Sequence, residues 1–366
     1  MKYIKGYYKT LMLALALAAA GAFVFDQLFI RAAKVETNSA TLYLTFKQHT
    51  DNVWAAVFSP VDNLIASSSA DGNVLIWNPG DGEVMQTLPH PQGVPALSFS
   101  PDGQYITTGS YDGILRVWRV SDGHQIKTFV HEGGTIWGLT YSPDGLTIAT
   151  GGQNGKVTLW HVLSGEKRML TGHLRGDVWS LSFSPEGKIL ASAGHDNYIK
   201  IWDVPSGKVL HSIDGHSQAI VSVAFSPDGS ILASGSDDKT VKLWDTSSWK
   251  MLHNLSGESE CVYGVAFSPN GKYLVSGSRD KKVLGEILQY HFGYSGEFPG
   301  ATVRMWDVKS GELIQTLSRH SNDVNYVDYS ADGNFIASAS ADSTVMICRI
   351  SNFLQVGVPL HHLAGE

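Results

Sequence analysis

Cysteine is nearly missing from this chain of 366 residues: Cys261 and Cys348 are the only two. That excludes a disulfide-built scaffold and a cysteine-rich metal site, and it neither requires nor excludes an oxidising compartment. Positive charge is also in short supply. Lys and Arg number 27 against 34 Asp and Glu, a net charge of −7. Nucleic acid is therefore not expected as a partner, because neutralising phosphates needs a basic stripe. No Gly-rich phosphate loop, His-Glu-x-x-His pair or cluster of His with Cys occurs, so neither a cofactor nor a metal is expected. What the chain does have is 43% apolar residues and 38 glycines, the mark of a folded, turn-rich protein.

Long apolar runs are confined to one place. Lys2, Lys5 and Lys9 precede an uncharged apolar run of fifteen residues at 11–25, LMLALALAAAGAFVF. Its length suits a signal-peptide core better than a full membrane span, and Ala20-Gly21-Ala22 resembles a cleavage site. Apolar character continues to Ile30, past Asp26 and Gln27, so an uncleaved anchor stays open. Basic residues before the run favour a cytoplasmic N-terminus and a body sent across. The expectation is a membrane-anchored protein with its body outside the cytoplasm, or a secreted or periplasmic one if the segment is cleaved. A leader on a cytosolic protein is the plainer alternative.

The rest of the chain keeps time. Trp77, Trp118, Trp160, Trp202 and Trp244 are spaced 41, 42, 42 and 42, and Trp306 follows after 62, which is 42 plus 20. His49, His90, His131, His173 and His216 keep the same period, and His320 comes 104 later, two periods plus the same 20. Phe-Ser-Pro or a close variant recurs at Phe58, Phe99, Tyr141, Phe183, Phe225, Phe267 and Tyr329, which makes seven repeats. Each spells short alternating strands: in the fifth, IVSVAFS, ILASGS, TVKLWD and WKMLHNL are separated by PDGS and other turn residues. Pro pre-sets the second position of such a turn, and Gly supplies the positive φ that closes it. A four-stranded sheet cannot bury both faces alone, so the repeats must stack, and stacking in a ring leaves only short edges.

Residues 172–204, GHLRGDVWSLSFSPEGKILASAGHDNYIKIWDV, resemble a WD40 repeat, with Gly-His at one end and Trp-Asp at the other. Trp-Asp recurs at 202–203, 244–245 and 306–307. The resemblance covers roughly residues 41–350 and implies an all-β, seven-bladed β-propeller of four-stranded antiparallel blades. It also implies a ring closed by an N-terminal strand. TLYLTF at 41–46 suits that role, although FLQVGVPL at 353–360 could compete for it. The expected organisation is a signal or anchor with linker at 1–40, the propeller at 41–350 and a tail at 351–366.

Ser, His and Asp abound, yet they come in copies. His49, Ser67, Asp71 and Trp77 stand at the same offsets as His90, Thr108, Asp112 and Trp118. His216, Ser234, Asp238 and Trp244 repeat them, and so do His173, Ser192, Asp196 and Trp202 with one extra residue after the histidine. A catalytic triad needs one activated site beside one oxyanion hole, so four copies point to a structural module and not to an enzyme. The resemblance implies that these positions form a hydrogen-bonded relay within each blade. Three departures stand out: Asn154 in the Asp position of the third repeat, Glu258 in the His position of the sixth, and Cys348 in the Trp position of the seventh.

The same resemblance makes the face carrying the His and Asp turns the usual partner surface. Residues just before each turn Asp project there, among them Tyr111, His195 and Arg279, and the inner strands begin with Trp54, Trp137, Trp179 and Tyr263 at one shared position. Trp, Tyr and Arg are the types enriched at binding hot spots, while the plainer role for the tryptophans is filling space between blades. Twenty extra residues at about 282–301 enter the sixth repeat between Asp280 and Thr302. Tyr290, Phe292 and Tyr294 make that insertion too aromatic for a solvated spacer. It reads as a recognition loop, a passive insertion folded on its own blade, or an error of gene prediction. The resulting expectation is a non-catalytic scaffold binding proteins or peptides on the His/Asp face, touching the membrane through its N-terminus if that is uncleaved. The alternative is an enzyme or small-ligand sensor using the central opening.

Overall fold

A computed structural model describes residues 40–350 apart from 175, 257–259 and 280–301. Those residues form seven four-stranded antiparallel sheets. Blade one is typical: Val53–Phe58, Ile65–Ser69, Asn73–Trp77 and Val84–Pro89 pair in chain order from the inside outwards. The inner strand of every blade packs against the inner strands of the blades on either side, including the seventh against the first, so the ring is closed.

The turn after each inner strand explains why the repeat folds locally. In blade five, Ser226 Oγ donates to Asp228 Oδ1 at 2.6 Å and accepts the Ile231 amide at 3.0 Å, while the Gly229 amide returns to the Ser226 carbonyl at 2.8 Å. Gly229 has φ 72°, a conformation that a β-carbon would strain. Ser-Pro-Asp-Gly thus supplies its own hydrogen bonds and hands the chain back one strand over.

Burial runs between blades and not within one. Leu243 and Leu255 of blade five share a cluster with Val262, Phe267 and Trp306 of blade six. Second strands are buried almost throughout, as in Ile231–Ser236, whereas outer strands such as Met251–Leu255 bury mainly their last residue. Closure follows the N-terminal option. Ala40–Phe46 pairs antiparallel with Val345–Ile350 as the outermost strand of blade seven, and Phe46 stacks on Trp77 of blade one at 4.1 Å between centroids. The first and last described strands thereby share one sheet, which is how an open row of blades becomes a ring. The competing segment 353–360, the N-terminal run, the insertion with Tyr290, Phe292 and Tyr294, Glu258 and the side chain of Asn154 lie outside the described residues.

Candidate functional site

The relay is built in blades one, four and five. In blade five, His216 Nδ1 lies 2.9 Å from Asp238 Oδ2, His216 Nε2 lies 2.7 Å from Ser234 Oγ, and Trp244 Nε1 donates to Ser234 Oγ at 2.8 Å. One proton arrangement satisfies every atom: the indole donates to the hydroxyl, the hydroxyl to Nε2, and Nδ1–H to the carboxylate. In blade one the same three distances, through His49, Asp71, Ser67 and Trp77, are 3.0, 2.8 and 3.1 Å. In blade four, through His173, Asp196, Ser192 and Trp202, they are 2.9, 2.7 and 2.7 Å. Burial holds His49 and His216 below the usual imidazole range despite the carboxylate beside each. Burial also pushes Asp71 and Asp238 up, but surrounding donors, the imidazole among them, leave both net below the ordinary carboxylate value.

This geometry cannot act as a nucleophilic triad. Ser67, Ser192 and Ser234 are completely buried, and each hydroxyl oxygen already receives an indole N–H. A nucleophile must meet its substrate, and these are sealed under tryptophan.

Blade two departs from the expected relay. His90 Nε2 reaches Thr108 Oγ1 at 2.8 Å and Trp118 donates to the same oxygen at 3.0 Å, but His90 Nδ1 turns to the Leu88 carbonyl at 2.9 Å. Asp112 is taken instead by Arg116, through two N–H···O contacts of 2.7 and 3.2 Å. A planar guanidinium fork matches a carboxylate better than a neutral imidazole does. Burial, reinforced by Arg116, then lowers His90 to about 4. Blade three keeps Trp160 donating to Thr150 at 2.9 Å, while its His131 accepts the Gly133 amide at 3.2 Å and leaves Nε2 buried without a partner. Blade seven holds His320 between Ser338 and Asp342 at 2.8 and 2.9 Å, and buried Cys348 replaces the indole.

The partner-face candidates converge for a reason that the sequence pattern hid. Trp54, Trp137, Trp179, Val221, Tyr263 and Asn325 each mark a register shift in their inner strand, a β-bulge. A bulged residue leaves the ladder and its side chain is re-aimed. In blade two Pro95, which has no N–H to pair, sits just before the strand Ala96–Phe99. The residue ahead of each turn is tied close by: the amides of Ala70, Tyr111, His195 and Arg279 bond the carbonyls of Asn52, Gly93, Asp177 and Cys261 at 2.9–3.0 Å. Bulge and turn residues therefore meet around the mouth of the central channel.

Two sectors result. Tyr111 lies between Trp54 and Trp137, with ring centroids 6.5 and 5.5 Å away in edge-to-face array, and Trp179 meets His195 at 5.9 Å. Across the mouth, Arg279 pairs with Asp323 at 3.4 Å, and that carboxylate followed by the Tyr263 phenol raises the Arg279 guanidinium above its ordinary value. Asn325 closes the seam by donating to the Val53 carbonyl at 2.8 Å. Burial lifts Tyr111, Tyr263 and Asp237. Among the described residues, no group of three or more His, Cys, Asp or Glu is placed to hold a metal ion, and no helix is long and apolar enough to cross a membrane.

Seven sheets of this order in a closed ring define a seven-bladed β-propeller. The chain belongs to the WD40 family: the model described as WD domain, G-beta repeat matches residues 40–78, 82–119, 123–161, 165–203, 207–245, 249–284 and 311–348. Each match begins with the outer strand of one blade and continues into the next, so the first begins with the closing strand. The sixth runs out at 284, within the insertion, although its third strand Thr302–Asp307 forms beyond it. WD40 propellers are generally non-catalytic scaffolds that bind proteins or peptides. No curated protein matches the chain.

Proposed function

We propose that this protein is an interaction scaffold whose His/Asp face docks a protein or peptide, and that its N-terminal segment exports or tethers the propeller outside the cytoplasm. The bulged channel mouth carries the docking assignment. It concentrates half-buried Trp54, Trp137, Trp179, Tyr111 and Tyr263 with Arg279, while the opposite ends of the blades repeat nearly the same Ser-Pro-Asp-Gly turn. Aromatics and arginine held by a rigid scaffold are what a hot spot needs. The run at 11–25 behind three lysines supports the location.

The insertion extends the same face in this reading. Gly277 pairs with Val303 in blade six as Gly235 pairs with Val241 in blade five, so joining Lys281 to Thr302 restores a turn of blade-five length. Lengthening a closed loop costs only about 0.6 kcal/mol per doubling, so the shortened chain is expected to fold as stably as the parent or more so. A photo-crosslinking amino acid at Tyr111 or Arg279 should trap the partner, and one at exposed Glu186 on the opposite side should not. The shortened chain should trap less. Equal trapping from both faces ends the docking assignment, and unchanged trapping by the shortened chain makes the insertion passive. Location has its own test: the intact chain recovered in the cytosolic fraction refutes it.

A further inference from the structure

The mouth has an electrostatic asymmetry that narrows the choice of partner. On the charged side two described cations are paired: Arg279 with Asp323 at 3.4 Å and Lys239 with Glu260 at 3.5 Å. On the aromatic side stand Asp51, exposed and three residues ahead of Trp54, and part-exposed Asp177, two ahead of Trp179. Among the described residues, no ion pair engages either carboxylate. Asp51 lies close enough to Tyr111 to add to the burial that raises its phenol. Among the described residues, the sector spanning blades one to four thus offers indole and phenol rings beside these carboxylates, with His195 as the basic side chain at the mouth.

Aromatic faces attract cations because their π-systems are electron-rich, and neighbouring carboxylates add a charge that water screens incompletely in a concave mouth. The same arrangement works against other occupants. An anionic segment would meet Asp51 and Asp177 with no free cation among the described residues of that sector to offset them. A wholly apolar one would cover two carboxylates without compensation, at a desolvation cost. The rings are also pre-positioned, since each tryptophan is held by its bulge and Tyr111 is wedged between two of them. Little side-chain freedom remains to be lost on binding.

We propose that the aromatic half of the channel mouth, Trp54, Tyr111 and Trp137 with Asp51, receives an arginine or lysine side chain from the partner polypeptide. The assignment rests on the docking reading above and adds the chemistry of the docked residue.

The test uses the full chain labelled with 5-fluorotryptophan, the Trp54 and Trp137 fluorine signals being assigned from Trp54→Phe and Trp137→Phe. Three synthetic pentapeptides serve as probes, identical except for a central arginine, citrulline or glutamate. Fluorine spectra register binding even in the millimolar range. The arginine peptide should shift both signals saturably. Citrulline, which keeps the shape and loses the charge, should bind about ten-fold more weakly or worse, and glutamate should cause no shift. Asp51→Asn alters an exposed residue and should keep the fold while weakening the arginine peptide several-fold, with a reduced salt dependence. Equal binding of arginine and citrulline peptides, binding that Asp51→Asn leaves untouched, or no shift at millimolar arginine peptide each overturns the proposal. Its failure is separable from failure of the docking reading: a partner cross-linked at Tyr111 through an acidic or apolar segment refutes the cation and keeps the face.

Discussion

Blades two and five carry a histidine, a hydroxyl, an aspartate and a tryptophan at matching offsets, and only blade five links all four. The difference lies in two positions around the start of the third strand. Lys242 of blade five sends its ammonium to the Gly215 carbonyl and stays 4.0 Å from Asp238, whose oxygens are filled by His216, the Ser217 amide and Thr240. Arg116, at the same place in blade two, reaches Asp112 with its fork, and Ile114 there offers no hydroxyl where blade five has Thr240. A motif supplies candidates for a network. Competition among near neighbours decides which bonds form.

The seams between blades repeat that lesson. Between blades four and five, Ser182 Oγ accepts the Phe225 amide at 3.1 Å. Between blades seven and one, Asp328 Oδ2 accepts the Phe58 amide at 2.9 Å. The second seam assigns to a carboxylate what the first does with a hydroxyl. Asp328 lies deep among protein atoms, although the residue still meets some solvent, and burial outweighs its two amide donors to push it up to about 7.

The largest effects should come from testing the relays. Asp112→Ala strands a buried guanidinium and should cost about 3–5 kcal/mol, most of it recovered by adding Arg116→Leu. Asp238→Ala should cost about 2–3 kcal/mol through an orphaned imidazole and backbone amides, and Lys242→Leu should recover none of it. Double-mutant cycles by urea unfolding decide the matter; equal rescue in both blades would show that the two aspartates do one job after all.

An intermediate effect is expected at Asp328. Its folded value of about 7 lies above the ordinary 3.8, so its contribution to stability is complete below about pH 3.8 and is lost as pH rises through 7. Asp328→Asn should therefore gain roughly 1–3 kcal/mol over the parent at pH 8, discounted for partial solvation, and nothing near pH 4. His90 works in the opposite sense: lowered from 6.5 to about 4, it contributes fully above pH 6.5 and loses that contribution as pH falls towards 4. Unfolding curves at pH 4, 6 and 8 check the variant. A gain that stays constant with pH would mean that Asp328 does not titrate in this window. The smallest effect belongs to the neutral seam, where Ser182→Ala should cost about 1 kcal/mol, equally at all three pH values.

Much of the molecule was legible in the chain because its information is local and repeated. The 42-residue beat, the Ser-Pro-Asp-Gly turns and the alternating strands each report geometry within a few residues. Four copies of one His-hydroxyl-Asp set also pointed to a structural role and not a catalytic one. The bulges at Trp54, Trp137 and Trp179 were less visible, since a register shift is a relation between two strands and leaves no mark in either alone. Their one trace was an aromatic at a constant position, which marked the bulged residues without the reason for their direction.

By itself, then, the sequence determined the family, the number of blades, the place of the insertion and the residues available to each relay, because all of these follow from spacing along one chain. Only the tertiary structure decided that Ala40–Phe46 closes the ring, that Arg116 takes Asp112 from His90, and that Asp328 stands at the closing seam. Each of those outcomes is a choice among partners brought together from different strands or opposite ends of the chain. Distance in space, burial and charge make that choice, and none of the three is written in the order of the residues.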